Sequence, residues 1–235
     1  MKKVVIFDLY NTVLKDGFFS FDHAMGELYH AYFEEKCTLE EFMEYEKSFF
    51  PAFLERREKN IETCLIEDEI PFIFEHFGVQ PSKSWIELDY QIMNWMQKGG
   101  LLDAVQETLE ELRKMGVDMY ILSNTVFTGE ATMRLLDDFG ILHYFKKVYA
   151  SADYRVRKPG RKFFDIAVSE ILDGREELTR KDIIFVGNDY EADAKGALGA
   201  GLDAVWYNVE HAENVEKLDV VEIDDMRKLI DIVRE

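Results

Sequence analysis

The chain has 235 residues, 47% of them hydrophobic and 14% aromatic, which is enough apolar material for a buried core and excludes a mainly disordered protein. It carries 28 Lys and Arg against 47 Asp and Glu, a formal net charge of −19. We therefore expect no binding to nucleic acid or to an anionic membrane, because Lys and Arg hold both kinds of surface. The length allows one domain with a large insertion or two small domains.

The sequence is typical of a protein from a reducing, cytoplasmic setting. Its two cysteines, Cys37 and Cys64, do not make a disulfide framework. The apolar run Val4–Phe7 is too short for a signal peptide, and no stretch approaches the roughly 18 apolar residues of a membrane-spanning helix. We therefore expect a cytoplasmic monomer or homodimer.

Short apolar runs alternate with helical patterns along most of the chain. Five runs predict β-strands, at Val4–Phe7, Val117–Leu122, Val148–Ala150, Ile183–Val186 and Ala204–Tyr207. Apolar residues at helical spacing predict helices at Asp103–Met115, Gly129–Phe139, Arg161–Leu172, Glu191–Ala200 and Asp224–Arg234. Asp103 and Gln106 have the spacing of a capping box, and Gly116 is typical of a helix end. This alternation predicts an α/β fold, a doubly wound parallel sheet with a Rossmann-like core.

A long segment after the first strand breaks this alternation. We expect no strand in it, because its apolar residues recur at helical spacing in three or four helices, roughly 20–35, 38–60, 62–77 and 82–97. The prediction is a core made of residues 1–16 and 100–235, with an inserted α-helical cap at 17–99. The pairs Asp16-Gly17 and Gly99-Gly100 are the predicted hinges.

Chemically useful side chains follow four of the predicted strands. In an open parallel sheet, ligands bind beyond the carboxyl ends of the strands. The residues at those places are Asp8, Tyr10, Asn11, Thr12, Ser123, Asn124, Lys158, Asn188, Asp189 and Asp193. A carboxylate, a hydroxyl, a lysine and a further acid are typical of an aspartyl nucleophile with charge-stabilising groups around it.

Four segments in this order resemble the motifs of the haloacid dehalogenase superfamily. They read FDLYNT (Phe7–Thr12), ILSNT (Ile121–Thr125), RKPGRKFF (Arg157–Phe164) and FVGNDYEADAKGA (Phe185–Ala197). The insertion at 17–99 falls where the helical cap of that family belongs. The resemblance therefore covers essentially the whole chain, and the four motifs together are specific.

The resemblance implies a role for each main residue. Asp8 would attack carbon or phosphorus of the substrate, and water would hydrolyse the aspartyl intermediate. Ser123 would bind the attacked group, and Lys158 would neutralise charge around Asp8. Asp193 would support Lys158, while Thr12 would form a hydrogen bond near the nucleophile.

Two asparagines and one arginine are further candidates for substrate contacts. They are Asn11, Asn124 and, in the cap, Arg56. Asn11 stands in the tight turn after Asp8, where its tolerance of positive φ keeps the turn possible. Arg56 and Arg57 are the two arginines of the insertion.

Tyr10 departs from the pattern of the phosphatases that the chain resembles. Those enzymes usually carry an Asp there as the acid for a leaving alcohol, whereas a phenol, with an ordinary pKa of about 10, is a poor acid near neutrality. The two-carbon haloacid dehalogenases carry Tyr at this place, because a halide needs no proton. Their halide-binding arginine would fall at residues 37–40, where this chain has none.

Asn188 is the second departure, since phosphatases of the family place a metal-binding Asp there and the dehalogenases a Ser. An amide oxygen also binds Mg²⁺, although with less charge. Asp189 is an alternative ligand. The resemblance thus implies a Mg²⁺ site, weaker than the family's usual one, formed by Asp8 with Asn188 or Asp189.

These residues lead to three functional hypotheses. The first is a Mg²⁺-dependent phosphatase of small phosphorylated metabolites. The second is a metal-independent 2-haloacid dehalogenase, and the third is a non-catalytic protein that binds a small anionic ligand. The acidic composition does not exclude such a ligand, because residues 16–99 hold 18 acids and seven bases, a net of −11, whereas residues 155–162 hold five bases and no acid.

Overall fold

Eight strands and twelve α-helices make up the computed structural model, which describes residues 2–235 apart from the side chain of Asp16. The strands are β1 (Val4–Phe7), β2 (Leu14–Phe19), β3 (Gln97–Leu101), β4 (Asp118–Ser123), β5 (Phe145–Ala150), β6 (Ile183–Gly187), β7 (Asp203–Tyr207) and β8 (Val221–Ile223). The helices are α1 (Phe21–Tyr32), α2 (Leu39–Lys47), α3 (Phe50–Glu58), α4 (Leu65–Asp68), α5 (Ile70–His76), α6 (Trp85–Met96), α7 (Val105–Lys114), α8 (Gly129–Asp138), α9 (Ser151–Tyr154), α10 (Arg161–Leu172), α11 (Gly196–Gly199) and α12 (Lys228–Arg234).

Six of the strands form one parallel sheet in the order β5-β4-β1-β6-β7-β8. Strand β1 is central, with Val4 opposite Asp118 of β4 on one side and Ile183 of β6 on the other. After β1 the chain fills the β4 side of the sheet and then crosses to the β6 side. Such a change of direction opens a crevice at the carboxyl ends of the central strands.

Both faces of the sheet are covered, as the continuous apolar strands predict. In β1, Val5 and Phe7 join an apolar cluster with α7, α8 and α12, while Val4 and Ile6 join a second cluster with α10 and α11. This confirms the doubly wound α/β core. In the described part of the chain, no helix is long and apolar enough to cross a membrane.

The helical cap (residues 20–96) comprises α1 to α6, inserted between β2 and β3. Its centre is aromatic, with Phe33 packed edge-on against Phe74 at 4.8 Å between ring centroids and tilted against Phe42 at 5.0 Å. Capping boxes begin α2 at Thr38 and α6 at Ser84. The inserted helical cap is therefore confirmed, although in the described chain it has six shorter helices rather than three or four long ones.

A two-stranded antiparallel ribbon, β2 and β3, carries the chain into the cap and back. The expectation of no strand in the insertion was therefore wrong at its two ends. The predicted glycine hinges lie in this ribbon, where a Cβ on Gly17 would stand 2.1 Å from the Lys98 carbonyl oxygen and one on Gly99 2.0 Å from that of Lys15. Glycine is required here because the two backbones approach too closely for any side chain.

Smaller differences concern helix ends and the edge of the sheet. The predicted capping box at Asp103 is not formed, since α7 begins after Ala104, whose φ is 63° and whose side chain gives no cap. Gly116 ends that helix region with a φ of 76°, as predicted. The predicted helix Glu191–Ala200 is a π-helical turn, Tyr190–Lys195, followed by α11. Strand β8 was not predicted, because Glu222 interrupts its apolar residues and only Ile223 is buried.

Candidate active site

The crevice at the carboxyl ends of β1, β4 and β6 contains a cavity of about 360 Å³ (the catalytic cavity). Most of the residues that the sequence singled out share it. Its polar lining consists of Asp8, Tyr10, Asn11, Asn124, Arg157, Lys158, Asn188, Asp189, Glu191 and Asp193.

Asp8 is held at the end of β1 with its side chain 10% exposed. Its backbone N–H donates to the Val186 carbonyl, which continues the pairing with β6 at 2.8 Å. The following turn passes through Asn11, whose φ is 59°, so the prediction that this asparagine accepts a left-handed backbone is confirmed. The turn brings the Thr12 hydroxyl to donate to Asp8 Oδ2 at 3.2 Å, also as predicted.

Lys158 is fully buried between two carboxylates. Its Nζ donates to Asp8 Oδ1 and to Asp193 Oδ1, each at 2.6 Å. Burial lowers the pKa of Lys158, but the charges of Asp193 and Asp8 outweigh it, so the pKa is raised and the ammonium stays charged. Burial raises the pKa of Asp193, although Lys158 opposes the shift. The predicted contacts of Lys158 with both acids are confirmed.

Two further interactions fix the positions of these charges. The side chain of Asn124 accepts from the Lys158 backbone N–H at 2.8 Å and donates to the Lys158 carbonyl at 2.9 Å. Asp193 Oδ2 accepts from the backbone N–H of Asp189 at 3.0 Å, which orders the loop after β6. Asn124 is thus a positioning residue for Lys158, and its predicted substrate contact, like that of Asn11, stays a prediction.

Ser123 ends β4 and is completely buried. Among the described residues its Oγ has no hydrogen-bond partner. A buried hydroxyl without a partner costs about 1–3 kcal/mol, so a ligand oxygen at this strand end would recover a lost interaction. The arrangement fits the predicted binding of the attacked group.

Asp8 and Asn188 offer the oxygen donors that a magnesium ion prefers. Asp8 Oδ2 and Asn188 Oδ1 both lie within hydrogen-bond distance of the Thr12 hydroxyl, at 3.2 and 3.3 Å. One hydroxyl proton can satisfy only one of these oxygens at a time, so the pair fits a cation. Asp189 lines the same cavity, with its Oδ1 capping the π-helical turn through the Ala192 N–H at 2.7 Å. Within residues 2–235, no group of three or more His, Cys, Asp and Glu forms a metal site by itself.

A second cavity, of about 750 Å³, lies between cap and core (the cap cavity). It shares Tyr10 and Asn124 with the catalytic cavity, and the Tyr10 hydroxyl accepts from Gln97 Nε2 at 2.8 Å. Most of its wall is apolar and aromatic, formed by Phe19, Phe21, Phe50, Phe53, Leu65, Met96, Val126 and Phe127. A substrate bound at Asp8 would therefore place its remaining part in an apolar chamber.

Three acids stand along the cap side of this chamber, Asp22, Glu46 and Glu69. Burial, with the negative charge of Asp22, raises the pKa of Glu46 to about 7. Burial, with the charges of Glu46 and Asp68, raises the pKa of Glu69 to about 7. This part of the cavity would therefore disfavour a further negative charge on the ligand.

The predicted substrate contact of Arg56 stays a prediction, and the structure gives it no support. Its guanidinium binds Asp68 at 2.6 Å, and the residue lines neither the catalytic nor the cap cavity. Its neighbour Arg57 lines the cap cavity instead. The two arginines are adjacent on α3, and consecutive residues of a helix point about 100° apart, so the sequence did not show which of them faces the cavity.

Sequence reasoning also missed a buried carboxylate at the cap–core boundary. Glu62 is completely buried and accepts from Ser151 Oγ at 3.0 Å and from Arg157 Nε at 3.1 Å. Nothing in the sequence distinguishes this acid from the 16 others of the insertion, because its partners lie 89 and 95 residues away.

Comparisons with known proteins agree with this geometry. Over 150 residues the chain is 29% identical to a pyrimidine 5'-nucleotidase, PynA, of Streptococcus pneumoniae; the match covers 64% of this chain and about three fifths (60%) of the relative's length. HAD-hydrolase YfnB of Bacillus subtilis, bound to magnesium, superposes with a TM-score of 0.62 at 20% identity, covering 100% of this chain and 99% of that one.

A 2-haloacid dehalogenase from Pseudomonas syringae pv. Tomato superposes with a TM-score of 0.66 at 22% identity, covering 100% of this chain and 99% of that one. At such identities, these two structures establish the shared fold. The model of a hydrolase family, described as haloacid dehalogenase-like hydrolase, matches residues 2–201. The chain therefore belongs to the haloacid dehalogenase-like hydrolases.

Proposed function

We propose that the protein is a Mg²⁺-dependent phosphomonoesterase of small phosphorylated metabolites that acts through an aspartyl phosphate at Asp8. The observation that carries the proposal is the buried contact of Lys158 with Asp8 and Asp193, each at 2.6 Å. It stands beside the unpartnered hydroxyl of Ser123. The nucleotidase among the relatives supports phosphoryl chemistry over other hydrolysis.

The first step is attack of the Asp8 carboxylate on phosphorus. A bond forms between an oxygen of Asp8 and phosphorus, while the bond from phosphorus to the leaving oxygen breaks and that oxygen keeps the electron pair. Water then attacks the aspartyl phosphate and releases inorganic phosphate and the free carboxylate. Lys158 and Thr12, which hold the two oxygens of Asp8 at 2.6 and 3.2 Å, keep the carboxylate oriented.

Asp8 and Asn188, with Asp189 beside them, would hold the Mg²⁺, which supplies positive charge against the phosphoryl oxygens. The Ser123 hydroxyl donates to one of these oxygens, and Lys158 balances charge at Asp8 through both steps. Closure of the cap over the site would keep bulk water from it.

Tyr10 limits the range of leaving groups. It occupies the place of the usual acid, and its hydroxyl accepts a hydrogen bond from Gln97 at the ribbon. Since a phenol is a weak acid near neutrality, we expect esters with good leaving groups to react faster than esters of simple alcohols.

Hydrolytic dehalogenation of a 2-halo acid is the second candidate function. Tyr10 favours it, since a halide leaves without a proton. The cap gives it little support: residues 37–40 hold no arginine, and Arg56 is bound to Asp68 at 2.6 Å. Arg57 lines the cap cavity, but its guanidinium lies 3.9 Å from Glu62. We therefore rank this function below phosphomonoester hydrolysis.

One set of assays tests both functions. Purified protein is incubated with p-nitrophenyl phosphate, and separately with 2-chloro- and 2-bromopropionate, in Mg²⁺ and in EDTA. The proposal predicts phosphate release that requires Mg²⁺ and is lost in Asp8→Asn. Asp137→Asn, an exposed acid on α8, is the matched control and keeps full activity.

Other results assign the protein differently. Halide release that EDTA does not inhibit would make it a dehalogenase. Phosphate release that persists in Asp8→Asn would overturn the nucleophile. Thermal stabilisation by phosphate esters without any turnover would indicate a non-catalytic binding protein.

A further inference from the structure

Two arginines, one from the cap and one from the core, meet at a single buried carboxylate. Arg157 Nε donates to Glu62 Oε2 at 3.1 Å, and the Arg57 guanidinium lies 3.9 Å from Glu62 Oε1. The Glu62 side chain is completely buried, and that of Arg157 is 19% exposed. We call Arg57, Glu62 and Arg157 the arginine pair with its bridging glutamate.

This group stands where the two cavities meet. Arg157 lines the catalytic cavity together with Asp8 and Lys158, and Arg57 lines the cap cavity. Asn124 lines both cavities. Its side chain forms two hydrogen bonds with the backbone of Lys158, the residue next to Arg157. A substrate that extends from Asp8 into the cap cavity therefore passes the arginine pair.

The formal charges in this region are unequal. Two guanidinium groups share one carboxylate, a net charge of +1. Next to them, Lys158 shares two carboxylates, a net of −1. An incoming phosphate dianion meets repulsion at Asp8 and Asp193, whereas the arginine pair holds an uncompensated positive charge. The Arg157 side chain is 19% exposed and that of Arg57 39%, so the attraction to an anion is strongest at the more buried Arg157.

Donor groups of both arginines are still available. An arginine has five N–H donors, and among the described residues the side chain of Arg157 uses Nε alone. Arg57 Nε is buried and has no hydrogen-bond partner in the described chain. Burial lowers the pKa of Arg57, Glu62 opposes the shift, and the positive charge of Arg157 adds to it, so the two cations interact directly.

We propose that Arg157, held by Glu62 and assisted by Arg57, binds the phosphoryl group of the substrate and so makes the seated cap part of the phosphate site. This inference rests on the proposed function and deepens it: the core supplies the nucleophile and one binding arginine, and the cap supplies the carboxylate that orients it. Arg157 contacts the substrate, whereas Glu62 is a positioning residue.

The test measures binding of inorganic phosphate to the full-length protein with Mg²⁺. Its inhibition constant against p-nitrophenyl phosphate and the melting temperature with and without phosphate are determined for wild type, Arg157→Gln and Arg157→Lys. We expect Arg157→Gln to raise the inhibition constant and KM at least about tenfold, as for a lost charge-assisted hydrogen bond. Arg157→Lys recovers part of the loss, because it keeps the charge.

Arg155→Gln is the matched control. Arg155 also joins core to cap, through ion pairs with Glu67 and Asp68, but lines neither cavity. We expect it to lower the melting temperature without changing the phosphate inhibition constant. An equal inhibition constant in Arg157→Gln and Arg155→Gln would overturn the inference.

Two further results remain decisive. If Arg157→Gln does not fold, Arg57→Gln replaces it, and we expect this variant also to raise the inhibition constant of phosphate. An unchanged inhibition constant in a folded Arg57→Gln would contradict a role of the arginine pair. If wild type hydrolyses no phosphomonoester, the proposed function fails, while loss of the phosphate-dependent rise in melting temperature in Arg157→Gln still supports the arginine site.

Discussion

At the scale of single residues, three buried hydroxyls share an unusual property. Ser123 at the end of β4, Thr63 in the wall of the cap cavity and Thr108 in α7 are 0%, 1% and 1% exposed, and none of the three hydroxyl oxygens has a partner among the described residues. Ser123 ends the strand beside β1, next to Asn124 of the catalytic cavity, whereas Thr108 lies in a helix on one face of the sheet. Burial alone therefore does not separate a structural hydroxyl from a ligand-binding one, but position does.

We predict that Ser123→Ala lowers kcat/KM for p-nitrophenyl phosphate about tenfold or more, because one hydrogen bond to a phosphoryl oxygen contributes about 1.5–3 kcal/mol. Its melting temperature should stay close to that of wild type, since no protein hydrogen bond is lost. Thr108→Val, which removes an unpartnered hydroxyl that lines neither cavity, should change neither quantity. Steady-state kinetics and thermal unfolding of both variants measure the two quantities. Full activity of Ser123→Ala would exclude the phosphate contact.

The sequence was sufficient to find residues whose position follows from strand ends. Asp8 and Ser123 follow apolar runs that had to be buried strands, and Lys158 opens a loop directly before α10, so topology brings them together. Glu62 and Arg57 were beyond such reasoning. Their roles depend on which face of a short cap segment is turned to the core, and the local sequence does not predict that orientation.

At the scale of secondary-structure elements, the ribbon β2–β3 shows how local sequence misleads. Strands β2 and β3 contain three glycines and no alternation of apolar residues, so the pairs Asp16-Gly17 and Gly99-Gly100 were predicted as hinges rather than as parts of strands. They pair because the chain must leave and re-enter the core at one point. The strand character is therefore imposed by the tertiary structure rather than by propensity.

The close backbone contact in this ribbon gives a prediction. Gly99→Ala places a Cβ 2.0 Å from the Lys15 carbonyl oxygen, so the strands must separate. We expect a loss of about 2 kcal/mol in the free energy of unfolding, and a melting temperature lower by about 5 °C in a chain of this size. Gly100→Ala, where no atom lies within 4 Å of the new Cβ, is the control and should be nearly neutral in thermal denaturation. Equal melting temperatures for the two variants would contradict the close approach.

At the scale of the whole molecule, charge is divided between cap and core. The basic segment 155–162 was expected to provide a local positive field. Instead, Arg155 pairs with Glu67 and Asp68 of the cap, Arg157 with Glu62, and Arg161 with Asp165. Acids of the cap thus pair with arginines of this basic core segment, and Arg157 and Lys158 are its members that also face the catalytic cavity.

The cap cavity predicts which phosphate esters the enzyme prefers. Its aromatic wall would bury a ring on the leaving group, and about 100 Å² of apolar surface contributes about 2.5 kcal/mol. We therefore expect benzyl phosphate to exceed ethyl phosphate in kcat/KM by at least about tenfold. Both are esters of primary alcohols, so the weak acid at Tyr10 affects them alike.

The same cavity provides the controls for this preference. Phe53→Ala, in the cavity wall, should reduce the ratio of benzyl to ethyl phosphate. Phe72→Ala, a 49% exposed ring that lines neither cavity, should leave the ratio unchanged. A carboxylate on the benzyl ring should raise KM, because the cavity lining holds three acids, Asp22, Glu46 and Glu69, against two bases, Lys47 and Arg57. Equal kcat/KM for benzyl and ethyl phosphate in the wild type would show that the leaving group does not enter the cap cavity.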